Sequence, residues 1–312
     1  MPLRIGTRGS ALALWQANHF REALQKTCGL DAEIVVIKTS GDQNVTVPAQ
    51  QIGVIGIFTK ELEDSLLDGR ADLAVHSMKD VPTEFSDVCR IATVFKREDP
   101  RDALVSVRSE TLAQLPQGAR IGTSSLRRAS QLRSFRPDFQ IAELRGNVDT
   151  RLRKVAAGEY DAIVLAKAGI DRLGLSSRIT EVLSPEVMLP AVGQGALGVE
   201  FCEPRREEFK VLDLLMDQDT MRAVKAERAL RAEVQGGCRL PLGAWARYEE
   251  GKLVMDACVA SIDGKDYLHQ RADSHGAEGV TEAELFGRRV ARELISAGAG
   301  RILQLAGRNV AS

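Results

Sequence analysis

Two periodicities alternate along the first two-thirds of the chain. Short β-branched runs, "LRIGT" (3–7), "EIVVIK" (33–38) and "ADLAVHS" (71–77), predict strands. Between them, "SALALWQANHFREALQKT" (10–27) and "IFTKELEDSLLDG" (57–69) repeat apolar residues at helical spacing. Ser10 is placed to cap the first of these helices and Gly69 to close the second. The alternation predicts an α/β lobe built on a mainly parallel sheet. A second cycle begins at Arg120: the strand "RIGTSS", the helix "LRRASQLRSF", the strand "QIAEL", the helix "NVDTRLRKVAAG" and the strand "DAIVLA" (161–166). The cycles echo each other, "RIGTRGSAL" (4–12) in "RIGTSSLRR" (120–128) and "GRADLAVHS" (69–77) in "GEYDAIVLA" (158–166). Two similar lobes facing each other across a cleft are expected. "LPAVGQGALGVEF" (189–201) reads as a crossover or hinge running into a new strand. Beyond it, a long helix (about 217–235), three strand-like runs and a last helix (roughly 279–297) predict a small separate α+β domain. The polar, glycine-punctuated stretch 39–56 has no period and predicts a mobile cover over the cleft.

Composition narrows the function classes. The 312 residues, 44% hydrophobic and 27% charged, suffice for two or three cores. A net charge of −1 gives no global electrostatic case for nucleic acid or a membrane surface. Aromatic residues, at 4%, are too few for a base-stacking platform. The start of the chain has no apolar signal region, and no run is long enough to span a bilayer. A cytoplasmic location is expected, with Cys28, Cys89, Cys202, Cys238 and Cys258 reduced. There is no C-x-x-C spacing and the four histidines are scattered, so no metal site is expected.

Candidate chemistry gathers in three places. Eight arginines fall between 120 and 153, opposed by Asp138, Glu143 and Asp149. Arg133, Arg136 and Arg153 read as a solvated helix face. Arg127 and Arg128 instead sit in the first turn of a helix, where cations oppose the dipole. An anion held there by helix-terminal amides and by Thr123, Ser124 and Ser125 would offset that cost. Arg145, before Gly146, falls at the same predicted sheet edge. The ligand inferred is small and carries several negative charges. In "VHSMKDVPTEF" (75–85), Lys79 and Asp80 lie on a turn that Pro82 stops. Asp80 is either a turn cap or the carboxylate of a cationic cleft, held ready for a positively charged group. The third place is "EVQGGCRLPLGAW" (233–245), where Cys238 follows two glycines on a loop. It is an attachment point, a nucleophile with His76 as partner, or an ordinary small hydrophobe.

"HSMKDVPTE", "REDPRDALVS", "GTSSLRRASQL", "LRGNVDTRLRK", "YDAIVLAKAGIDRLG", "LPAVGQGALGVE" and "AERALRAEVQGGCRLPLGA" occur in this order. Together they resemble the porphobilinogen deaminase (hydroxymethylbilane synthase) family from about residue 3 to past 300. The resemblance implies an α/β fold with two periplasmic-binding-protein-like lobes around a cleft and a smaller α+β C-terminal domain. The boundaries expected are 1–95 with 196–213, 101–189, and 217–312. It implies a monomeric transferase that joins four porphobilinogen molecules on a covalent dipyrromethane cofactor and releases hydroxymethylbilane by hydrolysis. By the same resemblance, Cys238 carries the cofactor through a thioether and Asp80 is catalytic. Lys79, Ser77, Thr123, Ser125, Arg127, Arg128 and Arg145 would bind the cofactor; Arg8, Ser10, Arg151 and Arg172 would bind substrate. The chain departs from the family's usual G-G-K-G-[LI]-F. It has "GVIGIF" (53–58), so Val54 and Ile55 stand where a glycine and a lysine are usual, and the cover lacks one cation. Before the resemblance is weighed, a two-lobed anion-binding protein without catalysis is the alternative.

Overall fold

A computed structural model describes residues 2–38, 59–82, 88–205, 207–234, 240–274 and 279–311. The chain divides into two compact units, residues 1–98 with 196–221, and residues 99–195 with 222–312.

In the first unit β1 (Leu3–Thr7) pairs in parallel with β2 (Ala32–Val36) and β3 (Leu73–Ser77). Two antiparallel strands, β10 (Leu197–Cys202) and β4 (Cys89–Val94), complete the order β2-β1-β3-β10-β4. Helix α1 (Ala11–Ala23) and the residues after β10 cover one face, where Phe20, Leu24, Leu73, Val199 and Phe209 meet. Helix α2 (Lys60–Leu67) covers the other through Leu62 and Leu66. With both faces buried, the central strand β3 has no polar alternation, which explains its nearly continuous apolar run.

The second unit holds two sheets. In one, β6 (Arg120–Gly122) runs parallel to β7 (Gln140–Ala142) and β8 (Ala162–Ala166). Then β5 (Asp102–Ser106) is antiparallel to β8, and β9 (Glu181–Val182) forms the edge. The order β7-β6-β8-β5-β9 repeats the plan of the first unit: β6, like β1, lies between the two parallel strands that follow it in the chain, and an antiparallel strand comes next in the sheet. The sequence echo therefore marks two lobes of one design. Helices α3 (Leu126–Phe135), α4 (Val148–Ala156) and α5 (Lys167–Arg172) follow β6, β7 and β8.

The other sheet is an antiparallel meander of β11 (Leu242–Glu249), β12 (Lys252–Ala260) and β13 (Tyr267–Ser274). It is packed by α6 (Gln218–Glu233), α7 (Val280–Leu294) and α8 (Gly300–Ala311). The apolar period predicted α7 but not the separate α8, because the chain turns at Gly298 (φ 108°) and starts again. This sheet is joined closely to the preceding lobe. Ala244 N donates to Pro190 O at 2.9 Å, and Arg133 Nη1 donates to Ile262 O at 2.7 Å. Arg133 is thus a tether rather than a solvated side chain. Buried Glu227 accepts from Gly193 N (2.6 Å) and Ala246 N (2.8 Å), tying α6 to the 189–195 segment and to β11.

Candidate active site

In the first unit, parallel β1 and β3 end side by side, so Arg8–Ser10 and Met78–Asp80 lie along the C-terminal edge of the sheet. Open α/β sheets bind ligands at this edge. Ser10 caps α1, its hydroxyl accepting from Ala13 N at 3.3 Å. Ser77 accepts from Nε2 of buried Gln16 at 2.9 Å. Beyond Ser77 the chain makes a single 3-10 turn in which Met78 is buried, Lys79 half-buried and Asp80 exposed. Met78 anchors that turn. A Cβ on Gly198 would lie 2.3 Å from its sulfur, so a larger residue there would force Met78 to move. The result is a solvent-facing carboxylate on a fixed pedestal. His76, one residue before Ser77, is buried with its Nε2 2.7 Å from Glu200 Oε2. Its ring is engaged inside this lobe, which removes the observation that would favour a Cys–His pair.

The second unit builds the same edge differently. The ends of β6, β7 and β8 carry Thr123–Arg128, Glu143–Arg151 and Lys167–Arg172. Because β5 runs the opposite way, with Asp102 facing Ala166, its first residue arrives at that edge too. Asp102 is completely buried. Its Oδ2 accepts from Arg127 Nη1 at 2.7 Å. Its Oδ1 accepts from Arg128 Nη2 at 2.7 Å, Arg128 Nε at 3.1 Å and Gln194 Nε2 at 2.9 Å. Burial alone pushes this carboxyl's pKa up, but the two guanidiniums outweigh it and hold it well below the usual range. Arg127 Nη1 also donates to Leu189 O (2.6 Å), and Arg128 Nη1 to Val164 O (3.0 Å). By sequence, the cations of the first helical turn point to an external anion. The protein supplies one itself, in Asp102.

Arg127 and Arg128 are 4% and 6% exposed, and among the described residues Arg127 Nε has no hydrogen-bond partner. A buried donor without a partner is costly, so this edge suits an anionic group. Thr123 Oγ1 accepts from Ser125 N (3.2 Å), and Ser125 Oγ caps α3 by accepting from Arg128 N (3.4 Å). In both bonds the oxygen accepts, which leaves each hydroxyl proton to be donated. Ser124 is spent on Leu144, bonding its carbonyl (2.7 Å) and its amide (3.2 Å). Arg145 Nε lies 2.7 Å from Glu143 Oε1, and Arg151 Nε donates to Gly146 O at 2.7 Å. Arg172 is buried and donates to Gly195 O at 2.8 Å.

Sequence reasoning missed Asp102, Gln16 and Gln194. Gln16 carries the clearest retrospective signal, a polar residue within the buried stripe that includes Ala17 and Phe20. Asp102 reads as an ordinary strand start in "REDPRDALVS", and its arginine partners come 25 and 26 residues later. Cys238 and the 39–56 cover with Val54 and Ile55 lie outside the described residues.

Two family models match the chain. One is described as porphobilinogen deaminase, dipyromethane cofactor binding domain, over residues 3–210; the other is porphobilinogen deaminase, C-terminal domain, over 221–296. The chain belongs to the porphobilinogen deaminase family. A porphobilinogen deaminase of Syntrophobacter fumaroxidans is 47% identical over 303 residues, covering 97% of each chain. One of Nitratidesulfovibrio vulgaris is 46% identical over 303 residues, covering 96% of each. The chain is thus a transferase of the porphobilinogen deaminase type, with a dipyrromethane cofactor. Among the described residues no helix is long and apolar enough to cross a membrane, and no His/Cys/Asp/Glu group is placed to hold a metal.

Proposed function

We propose that this chain, acting as a cytoplasmic monomer, joins four porphobilinogen molecules head to tail and releases hydroxymethylbilane by hydrolysis. The observation that carries this reading is the pair of buried guanidiniums sharing one carboxylate at a sheet edge, an arrangement suited to acidic pyrrole substituents. Cys238 would hold the dipyrromethane through a thioether, and the bound group would offer a free pyrrole α-carbon for the first addition. Arg127, Arg128 and Arg145 take carboxylates of the cofactor, with Ser77, Lys79, Thr123 and Ser125 as polar contacts. Arg8, Ser10, Arg151 and Arg172 take the acetate and propionate of substrate.

Asp80 performs the chemistry. Its carboxylate accepts hydrogen bonds from the substrate's pyrrole N–H and balances the positive charge that develops as ammonia leaves. It then assists proton transfer from the newly joined carbon. Fixed by Asp102, the guanidiniums need no rearrangement when carboxylates arrive, and such preorganisation is what makes electrostatic stabilisation effective.

The intact mass of the purified protein tests this. Polypeptide plus a covalent dipyrromethane is expected, and bare polypeptide in a preparation that turns over porphobilinogen would exclude the scheme. Cys238→Ser should lose the thioether-linked cofactor, since a serine hydroxyl is a far poorer nucleophile than a thiolate.

A further inference from the structure

Cys89 and Cys202 face each other across two antiparallel strands, with their sulfur atoms 3.6 Å apart. Their register position matters. Glu203 N donates to Val88 O at 2.8 Å, so the neighbouring pair, Glu203 opposite Val88, is hydrogen-bonded. Opposed residues alternate between hydrogen-bonded and non-hydrogen-bonded pairs, and the latter bring their Cα atoms to about 4.5 Å. Cys89 and Cys202 form a pair of the closer kind, within the span of about 4.4–6.8 Å that a disulfide bridges without backbone movement. Their exposures differ: Cys89 is fully buried, while Cys202 is partly open to solvent. The described cysteines elsewhere have no such neighbour. Cys28 contacts the Val211 carbonyl, and burial pushes the Cys258 thiol up to about 11.

We propose that Cys89 and Cys202 are a thiol-modification site, which a low-molecular-weight disulfide converts into a cross-strand disulfide in the folded protein. Cys202, as thiolate, attacks one sulfur of the external disulfide and expels one thiol, leaving a mixed disulfide on Cys202. Cys89, deprotonated, then attacks Cys202 Sγ, forming the cross-strand bond and expelling the second thiol. The protein's two thiols are oxidised by two electrons and the external disulfide is reduced to two thiols, which take up the two protons. Exposure sets the order, because the external reagent reaches only Cys202. The chain leaves the first unit after Glu98 and returns at Ala196, so β4 and β10 are the strands carrying these crossings. The bond would staple them together at the end away from the crossings.

The holoprotein, incubated under native conditions with excess oxidised glutathione, then denatured, alkylated and digested with trypsin without reductant, tests the proposal. The expected product joins peptide Asp80–Arg90 to peptide Ile179–Arg205, two hydrogens lighter than their sum. In Cys202→Ser, Cys89 should be recovered fully alkylated and free of glutathione. Glutathione remaining on Cys202 of the native chain beside an alkylated Cys89 would overturn the proposal, as would recovery of both thiols alkylated. Glutathionylation of Cys89 in Cys202→Ser would overturn the order of attack.

Discussion

The two lobes share one sheet plan but present charge differently along the C-terminal edge of their parallel strands. In the first, Asp80 stands exposed on a turn anchored by buried Met78. In the second, Arg127 and Arg128 are buried and locked to an internal carboxylate. The difference follows from the division of labour proposed above. A group that must exchange protons and respond to a developing charge needs solvent and some freedom. Groups that must hold several carboxylates through repeated additions benefit from being fixed beforehand, at the expense of burying charge.

The largest effect expected from disturbing this contrast comes from Asp102→Asn. It keeps the shape but removes the charge of the carboxylate that two buried guanidiniums share, a change that typically costs about 3–5 kcal/mol. Denaturant unfolding should show that loss. A loss below about 1 kcal/mol would mean that water already compensates the arginines.

An acid titration sharpens the comparison from the other lobe, where Asp72 joins Arg4 (2.9 Å) and Arg205. Burial raises the Asp72 pKa, but hydrogen bonds from Arg4 and Arg205 prevail and bring it to about 2, against an ordinary 3.8. Its folded-state value is depressed, so its stabilisation is complete above pH 4 and is lost as pH falls through 2. The stability gap between the protein and Asp72→Asn should be constant from pH 5 to 7 and close between about pH 4 and 2. A gap that persists at pH 2 would contradict this.

The smallest effect compares the equivalent caps. Ser10 follows β1 and Ser125 follows β6, and each accepts a backbone N–H at the start of the next helix. Ser10→Ala and Ser125→Ala should each cost about 1 kcal/mol in unfolding free energy. If the hydroxyls also donate to ligand, Ser10→Ala should raise the KM for porphobilinogen, and an unchanged KM would confine Ser10 to capping.

Local periodicity made the lobes legible. The strand and helix predictions around "RIGTRGS" and "RIGTSSLRR" match β1–α1 and β6–α3, because each pattern reports which side faces its own core. The shortest edge strand does not show: β9, two residues long, carries no period, and it exists because β5 offers free backbone groups. At the site, Arg127 and Arg128 drew notice because cations oppose a helix dipole. Their partner did not, since Asp102 meets them only through the reversal of β5 beside β8. Gln194 reaches Asp102 from 92 residues away, a contact no local pattern encodes.

The division of labour rests most directly on Asp80→Asn. The variant is loaded with stoichiometric porphobilinogen, and its covalent complexes are followed by intact mass alongside steady-state turnover. The cofactor mass should be retained, unfolding should be nearly unchanged because Asp80 is exposed, and turnover should fall about a hundredfold or more, roughly 3–4 kcal/mol. Near-normal turnover, with pyrrole units added at the rate of the unaltered protein, would reduce Asp80 to a turn residue and contradict the account.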